Sequence, residues 1–123
     1  MKYLILIYNN PRSRDIWRGL SDAQRAEGLA HYAALNESLV ASGELIVSEA
    51  LAHPSTARRV LVTDGETVTS DGPYAELKEH LAGFFLLDCE TIERAVEHAA
   101  QIPEATLGLV EVRPVMTLSG LEM

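Results

Sequence analysis

Cysteine is nearly missing from this chain: Cys89 is the single one, so no internal disulfide can form, and a reducing compartment is expected. Basic side chains are scarce as well. Ten of them stand against 18 acidic ones, and the resulting net charge of −8 sets most of the surface against a phosphate backbone, so no nucleic-acid partner is expected. Long apolar runs are absent. The stretch from Tyr3 to Tyr8 falls far short of the ~20 residues that cross a membrane and is shorter than a signal-peptide core, which points away from membranes and towards a cytoplasmic location.

Several kinds of chemistry lack their usual residues. The histidines His31, His53, His80 and His98 form no H-x-H or H-x-x-x-H pair, and Cys89 has no second thiol nearby, so no metal site is spelled out and no cofactor is expected. Ser48 and Ser70 lack the Gly-x-Ser-x-Gly context of a nucleophile elbow, and no glycine-rich phosphate loop occurs. Cys89, flanked by Asp88 and Glu90, reads as a small buried residue with a normal or raised thiol pKa.

What is present is enough for one domain with a real core in 123 residues, taken as 1–116 with a tail over 117–123. Residues 2 to 8 read as a strand closed by Asn9-Asn10-Pro11. Ser21 or Asp22 then caps a helix running to Ser42 and ending at Gly43. Leu45 to Leu51 is a second strand, and Arg58–Thr63 with Glu66–Ser70 forms a hairpin around Asp64-Gly65, a pair suited to a type I′ turn. Gly83 to Cys89 is the next strand. A helix capped by Thr91 is expected over 92–102, patterned by Glu93, Ala95, Val96, Ala99 and Ala100, with a last strand from Leu107 to Val115. Setting the hairpin aside leaves β-α-β-β-α-β, the ferredoxin-like order of an α+β fold.

Residues 11 to 20 read as an irregular basic segment, with Arg12, Arg14, Trp17 and Arg18 in an otherwise acidic chain. Two readings stand for it: cover for a pocket that takes an anion, or a solvated loop with Trp17 packed on the domain. The strands are apolar on both sides, Leu4 and Leu6 against Tyr3, Ile5 and Ile7, and Phe84 and Leu86 against Phe85 and Leu87. Two helices shield one face of such a sheet, so the other is expected against a second copy, in a homodimer.

The most particular string is Asp71-Gly72-Pro73-Tyr74-Ala75-Glu76-Leu77-Lys78-Glu79, followed by Gly83-Phe84-Phe85. Asp-Gly-Pro is a turn with a local mechanism, and Pro73 presets φ for a short helix from Tyr74. With the strands Lys2–Tyr8 and Gly108–Val115 around it, the segment resembles the DGPF-motif branch of the YCII-related family, Tyr74 standing where that branch has Phe. The resemblance implies a ferredoxin-like subunit that pairs into a dimeric α/β barrel. It also implies an active-site pair of a His early in the first long helix and an Asp. The His position falls on Tyr32, and a helical wheel with Ala26, Leu29, Tyr32, Ala33, Asn36, Leu39 and Val40 inward turns His31 to water.

The candidate catalytic residues are therefore Asp71 and Tyr32, each with a structural alternative: Asp71 capping the backbone after its turn, Tyr32 as a core ring satisfied by Asn36. Tyr74, Arg113, Glu49 and Asn36 are the candidate ligand contacts. Arg113 reads either as a solvent-facing edge residue or as the partner of a carboxylate such as Glu49 or Glu111. Glu76, Lys78 and Glu79 read as surface charges. Three functions follow: a cofactor-free lyase, isomerase or hydrolase acting on a small polar or anionic molecule; a sensing or protein-interaction module tied to an extracytoplasmic-function sigma factor, which the resemblance implies; and a structural dimer without a site.

Overall fold

The computed structural model describes residues 1–117, so the tail, beyond Thr117, lies outside the described residues. Its elements are β1 Lys2–Asn9, α1 Pro11–Arg18, α2 Asp22–Ser42, β2 Leu45–Ala50, β3 Arg58–Thr63, β4 Glu66–Asp71, β5 His80–Asp88, α3 Ile92–Ala99 and β6 Val110–Pro114. Four strands form one antiparallel sheet in the order β2-β5-β1-β6, while β3 and β4 pair only with each other. With the β3–β4 hairpin set aside, the first strand lies between the third and the fourth, which is the split β-α-β arrangement.

The long helix α2 begins where a capping box allows it. The Ser21 hydroxyl accepts the Gln24 N–H while the Gln24 side chain accepts the Ser21 N–H, and Gly43 at φ 77° ends the helix in the left-handed conformation. The segment expected to be irregular over 11–20 is instead the helix α1. Asn10 and Ser13 make a second capping box, with Pro11 in the first turn, where its missing N–H costs nothing. The helix after Thr91 stops at Ala99 rather than Ile102, because Pro103 opens a 3-10 turn over Pro103–Leu107, and Gly108 at φ 70° turns the chain so that the last strand starts at Val110 rather than Leu107.

The helices α2 and α3 serve one face of the sheet. Leu35 and Leu39 of α2, with Ala95 and Ala99 of α3 and Ile102 beyond it, close over Tyr3, Ile5, Ile7, Phe85 and Leu87. The inward stripe of α2 differs from the wheel reading. Leu35 is buried, whereas Leu29 and Val40 are about 60 % exposed, so the helix lies on the sheet rotated from the expected angle. In α3, Ala95 and Ala99 are buried in line with the expected pattern, whereas Val96 of that pattern is exposed and His98, outside it, is buried.

The opposite face carries Leu4, Leu6, Phe84 and Leu86, joined by Val47 from β2; Leu6 is buried among its neighbours, Leu4, Phe84 and Leu86 are half-buried, and none of them belongs to the core cluster under the helices. The hairpin does not cover it either: every residue of β3 and β4 is exposed, and the ribbon stands out from the body. Its turn is the expected one, with Asp64 and Gly65 both at positive φ.

Candidate functional site

Register places a polar cluster on the uncovered face. Glu111 lies opposite Leu6 and Arg113 opposite Leu4, so both side chains stand on the Leu4–Leu6 side of the sheet, away from the helices. Tyr8, farther along β1, donates its hydroxyl hydrogen to the Glu111 carboxylate at 3.1 Å. Burial first, then that bond and the negative charge of Glu111, push the Tyr8 phenol up, with Arg113 opposing and Glu79 adding to the rise. Tyr8 therefore keeps its proton and acts as a donor. Arg113 is exposed and makes no ion pair among the described residues, which leaves a planar donor fork suited to a carboxylate or phosphate. Sequence reasoning found Arg113 and missed Tyr8, although alternation along β1 already placed it on the second face.

The Asp71–Glu79 string leads straight into this end of the sheet. Gly72, at φ +82°, donates its N–H to the Ala57 carbonyl at 2.7 Å and pins the stem of the hairpin. Instead of the expected short helix there is one turn, closed by Leu77 N–H to the Tyr74 carbonyl at 3.1 Å. Glu76, Lys78 and Glu79 are exposed, and His80 then pairs with Asn9, the neighbour of Tyr8. Asp71 is exposed, and its carboxylate caps no backbone N–H among the described residues. Tyr74 is half exposed, with the Arg59 guanidinium 4.0 Å from its ring centroid in a cation–π stack.

The helix side of the sheet holds the other candidates. Tyr32 packs against the core, and its hydroxyl donates to the Glu104 carboxylate of the 3-10 turn rather than to Asn36. Asn36 instead accepts the Ser48 hydroxyl at 2.8 Å. Burial pushes the Glu104 carboxyl up. Glu104 carried no signal in the sequence, since it belongs to no periodic element. His31 faces water, as the wheel had it. No hydrogen bond or ion pair joins Tyr32 to Asp71 among the described residues. Glu49 lies opposite Phe84 on the uncovered face, but β2 and β6 are the two edges of the sheet. Three strand spacings, ~14 Å, therefore separate Glu49 from Arg113, too far for an ion pair.

Two clefts stand out among the described residues. A cleft of about 720 Å³ lies at the other end of the sheet, between Gly43, Glu44, Asp88, Cys89, Thr91 and Arg94. Its central charges are engaged with one another: Glu44 accepts from Arg94 at 3.1 and 3.3 Å and from the buried His98 at 3.0 Å, and Arg94 also reaches Glu97. Burial alone would raise the Glu44 carboxyl, but these bonds, led by that of Arg94, outweigh it and hold it below the usual range. The arrangement is a clamp between α3 and the start of β2. Cys89 is buried there, its thiol pushed up by burial, as its acidic neighbours suggested. A smaller groove of about 230 Å³ lies between Asn10, Arg12, Ser13 and Ile16 of the α1 segment and Thr106, Leu107 and Leu109. The remaining basic side chains of α1 are taken up locally, Arg14 by Asn9 and Arg18 by Asp15, and Trp17 lies so close to Gly28 that a Cβ there would come within 3.3 Å of its ring.

Comparison with known proteins matches the sequence to a family. The model of the YCII-related domain fits residues 1–119. An uncharacterised protein of Rhizobium meliloti (strain 1021) is 32% identical over 116 residues, which cover 93% of this chain and 91% of that protein.

Proposed function

The chain belongs to the YCII-related family, and from that premise we propose that it works as a homodimer, two sheets meeting across their uncovered faces as a dimeric α/β barrel, with a site for a small anionic or polar molecule at the rim. The observation that carries the reading is the uncovered face itself: apolar at Leu4, Leu6, Phe84 and Leu86, and bordered by Tyr8, Glu111 and Arg113. Burying such a face against its own copy removes apolar area from water, at ~25 cal/mol per Å². Arg113 binds the anion beside the hydrogen-bonded Tyr8–Glu111 pair.

Asp71 supplies the acid–base or anchoring group from the signature segment, and no bound cofactor takes part. Tyr32, held by Glu104, is the second acid–base candidate, on the helix side. The test is a thermal-shift screen of small carboxylates, phosphates and polar metabolites, since a ligand of the folded state raises apparent stability. A hit that persists in Tyr32→Phe but is lost in Arg113→Ala and Asp71→Asn supports the rim site. A hit that survives in both of those variants overturns it, and silence from a verified dimer turns the reading to a module acting through a sigma-factor-linked protein partner.

A further inference from the structure

We propose that the β3–β4 hairpin is an arm through which two copies of the chain join edge to edge, β3 of one against β3 of the other, at a contact separate from the uncovered sheet face. A lone two-stranded ribbon is marginal in water. This one is fully exposed, with Val60, Leu61, Val62 and Val68 each at least 50% accessible, and β3 offers a bare, β-branched edge of the kind that pairs with another strand.

The arm itself names the second copy as its occupant. It is polarised along its length, basic at the stem through Arg58 and Arg59 and acidic at the tip through Asp64 and Glu66. Antiparallel pairing of two β3 strands sets each basic stem beside the other's acidic tip. The same operation on β4 would bring Asp71 towards Glu66 of the copy, like charge to like, so β3 is the joining edge.

The register follows from the turn. In a two-residue type I′ hairpin the flanking pair, Thr63 and Glu66, exchanges hydrogen bonds, so Thr63, Leu61 and Arg59 bond to β4, while Arg58, Val60 and Val62 turn their N–H and C=O groups outward. A two-fold axis at Leu61 satisfies these outward groups, with Val60 opposite Val62, Arg59 opposite Thr63, Arg58 beside Asp64 and Leu61 facing its own copy. The contact is self-complementary, as a two-fold interface must be.

The experiment uses the full chain with Cys89→Ser as background. Leu61 faces itself in a non-hydrogen-bonded pair, where Cα atoms lie ~4.5 Å apart, within disulfide reach. Under mild oxidation Leu61→Cys is expected to link most of the protein into covalent dimers, while Thr69→Cys on the outer edge of β4 does not. Val60→Asp with Val62→Asp is expected to halve the molar mass by light scattering, with circular dichroism unchanged because the arm makes no core contact. Linking of Leu61→Cys no faster than Thr69→Cys, or an unchanged mass in the double variant, overturns the proposal. Leu6→Arg separates it from the sheet-face dimer, since that substitution breaks the face contact and leaves the Leu61→Cys link in place.

Discussion

At the scale of single residues, two positions have consequences that the sequence did not display. Gly83 was legible as a strand residue of the signature, but not as the point where β5 passes closest to β2: a Cβ there would lie 2.9 Å from the Glu49 carbonyl oxygen, a backbone atom that cannot step aside. Gly83→Ala is therefore expected to destabilise the fold by about 1–3 kcal/mol, as overpacking does, read as a lower midpoint in urea. An unchanged midpoint would mean that the β2–β5 spacing relaxes freely. Glu104 was not legible at all, because its pairing with Tyr32 joins residues 72 apart and depends on where a 3-10 turn falls. Its carboxyl is raised in the folded state, so the unfolded chain gives up that proton first, and the contribution of Glu104 to stability is lost as pH climbs above the ordinary glutamate range, ~4.3. Glu104→Gln keeps an acceptor for Tyr32 and has no proton to lose. Its melting temperature relative to wild type is expected to rise between acid and neutral pH, and a flat difference would sink the assignment.

At the scale of elements, local signals predicted what local signals control. The caps at Ser21 and Thr91, the glycine stop at Gly43 and the Asp64-Gly65 turn all stand where their chemistry put them. The helix α1 was overlooked because Asn10-Pro11 reads equally as a turn, and only the reciprocal bonds of Asn10 and Ser13 distinguish the two. The rotation of α2 is a tertiary property: a helix with alanines and leucines on several sides has no single apolar stripe, so the sheet chooses Leu35 over Leu29. The polar rim was half visible. Arg113 and Glu111 announce themselves in a strand, but their meeting with Tyr8 needs the β1–β6 register, which no spacing in the sequence supplies. The clamp between α3 and β2 belongs to this scale too. Glu44→Ala leaves the buried His98 without its partner, a loss of about 1–3 kcal/mol. Because the folded carboxyl is held low, that loss is complete above the ordinary glutamate pKa and fades as pH falls through the depressed value. Chemical denaturation at neutral pH and again in acid reads both parts, and an equal loss at the two would exclude the carboxylate as the clamp.

For the whole molecule, charge and apolar area pull in opposite directions. Each copy carries −8, so bringing two together raises electrostatic repulsion while the uncovered face gains cover. Salt screens exposed charges over ~10 Å at 0.1 M and leaves apolar burial in place. Association across the sheet face, measured by sedimentation with Val60→Asp and Val62→Asp as background to remove the arm contact, is therefore expected to tighten from ~0.01 M to ~0.15 M salt, and to be lost in Leu6→Arg. Tightening at low salt instead would assign the contact to ion pairs and not to the sheet face.

Among the described residues the arm is tied to the body at its stem, through the Gly72–Ala57 bond and the Arg59–Tyr74 stack. Its strands bear no packing duty, so substitutions over 60–63 and 66–69, on either side of the Asp64-Gly65 turn, escape the constraint that every core residue carries. Variation can accumulate there at no cost to folding, and natural selection is free to retune which surface the arm meets while the sheet and its helices stay as they are.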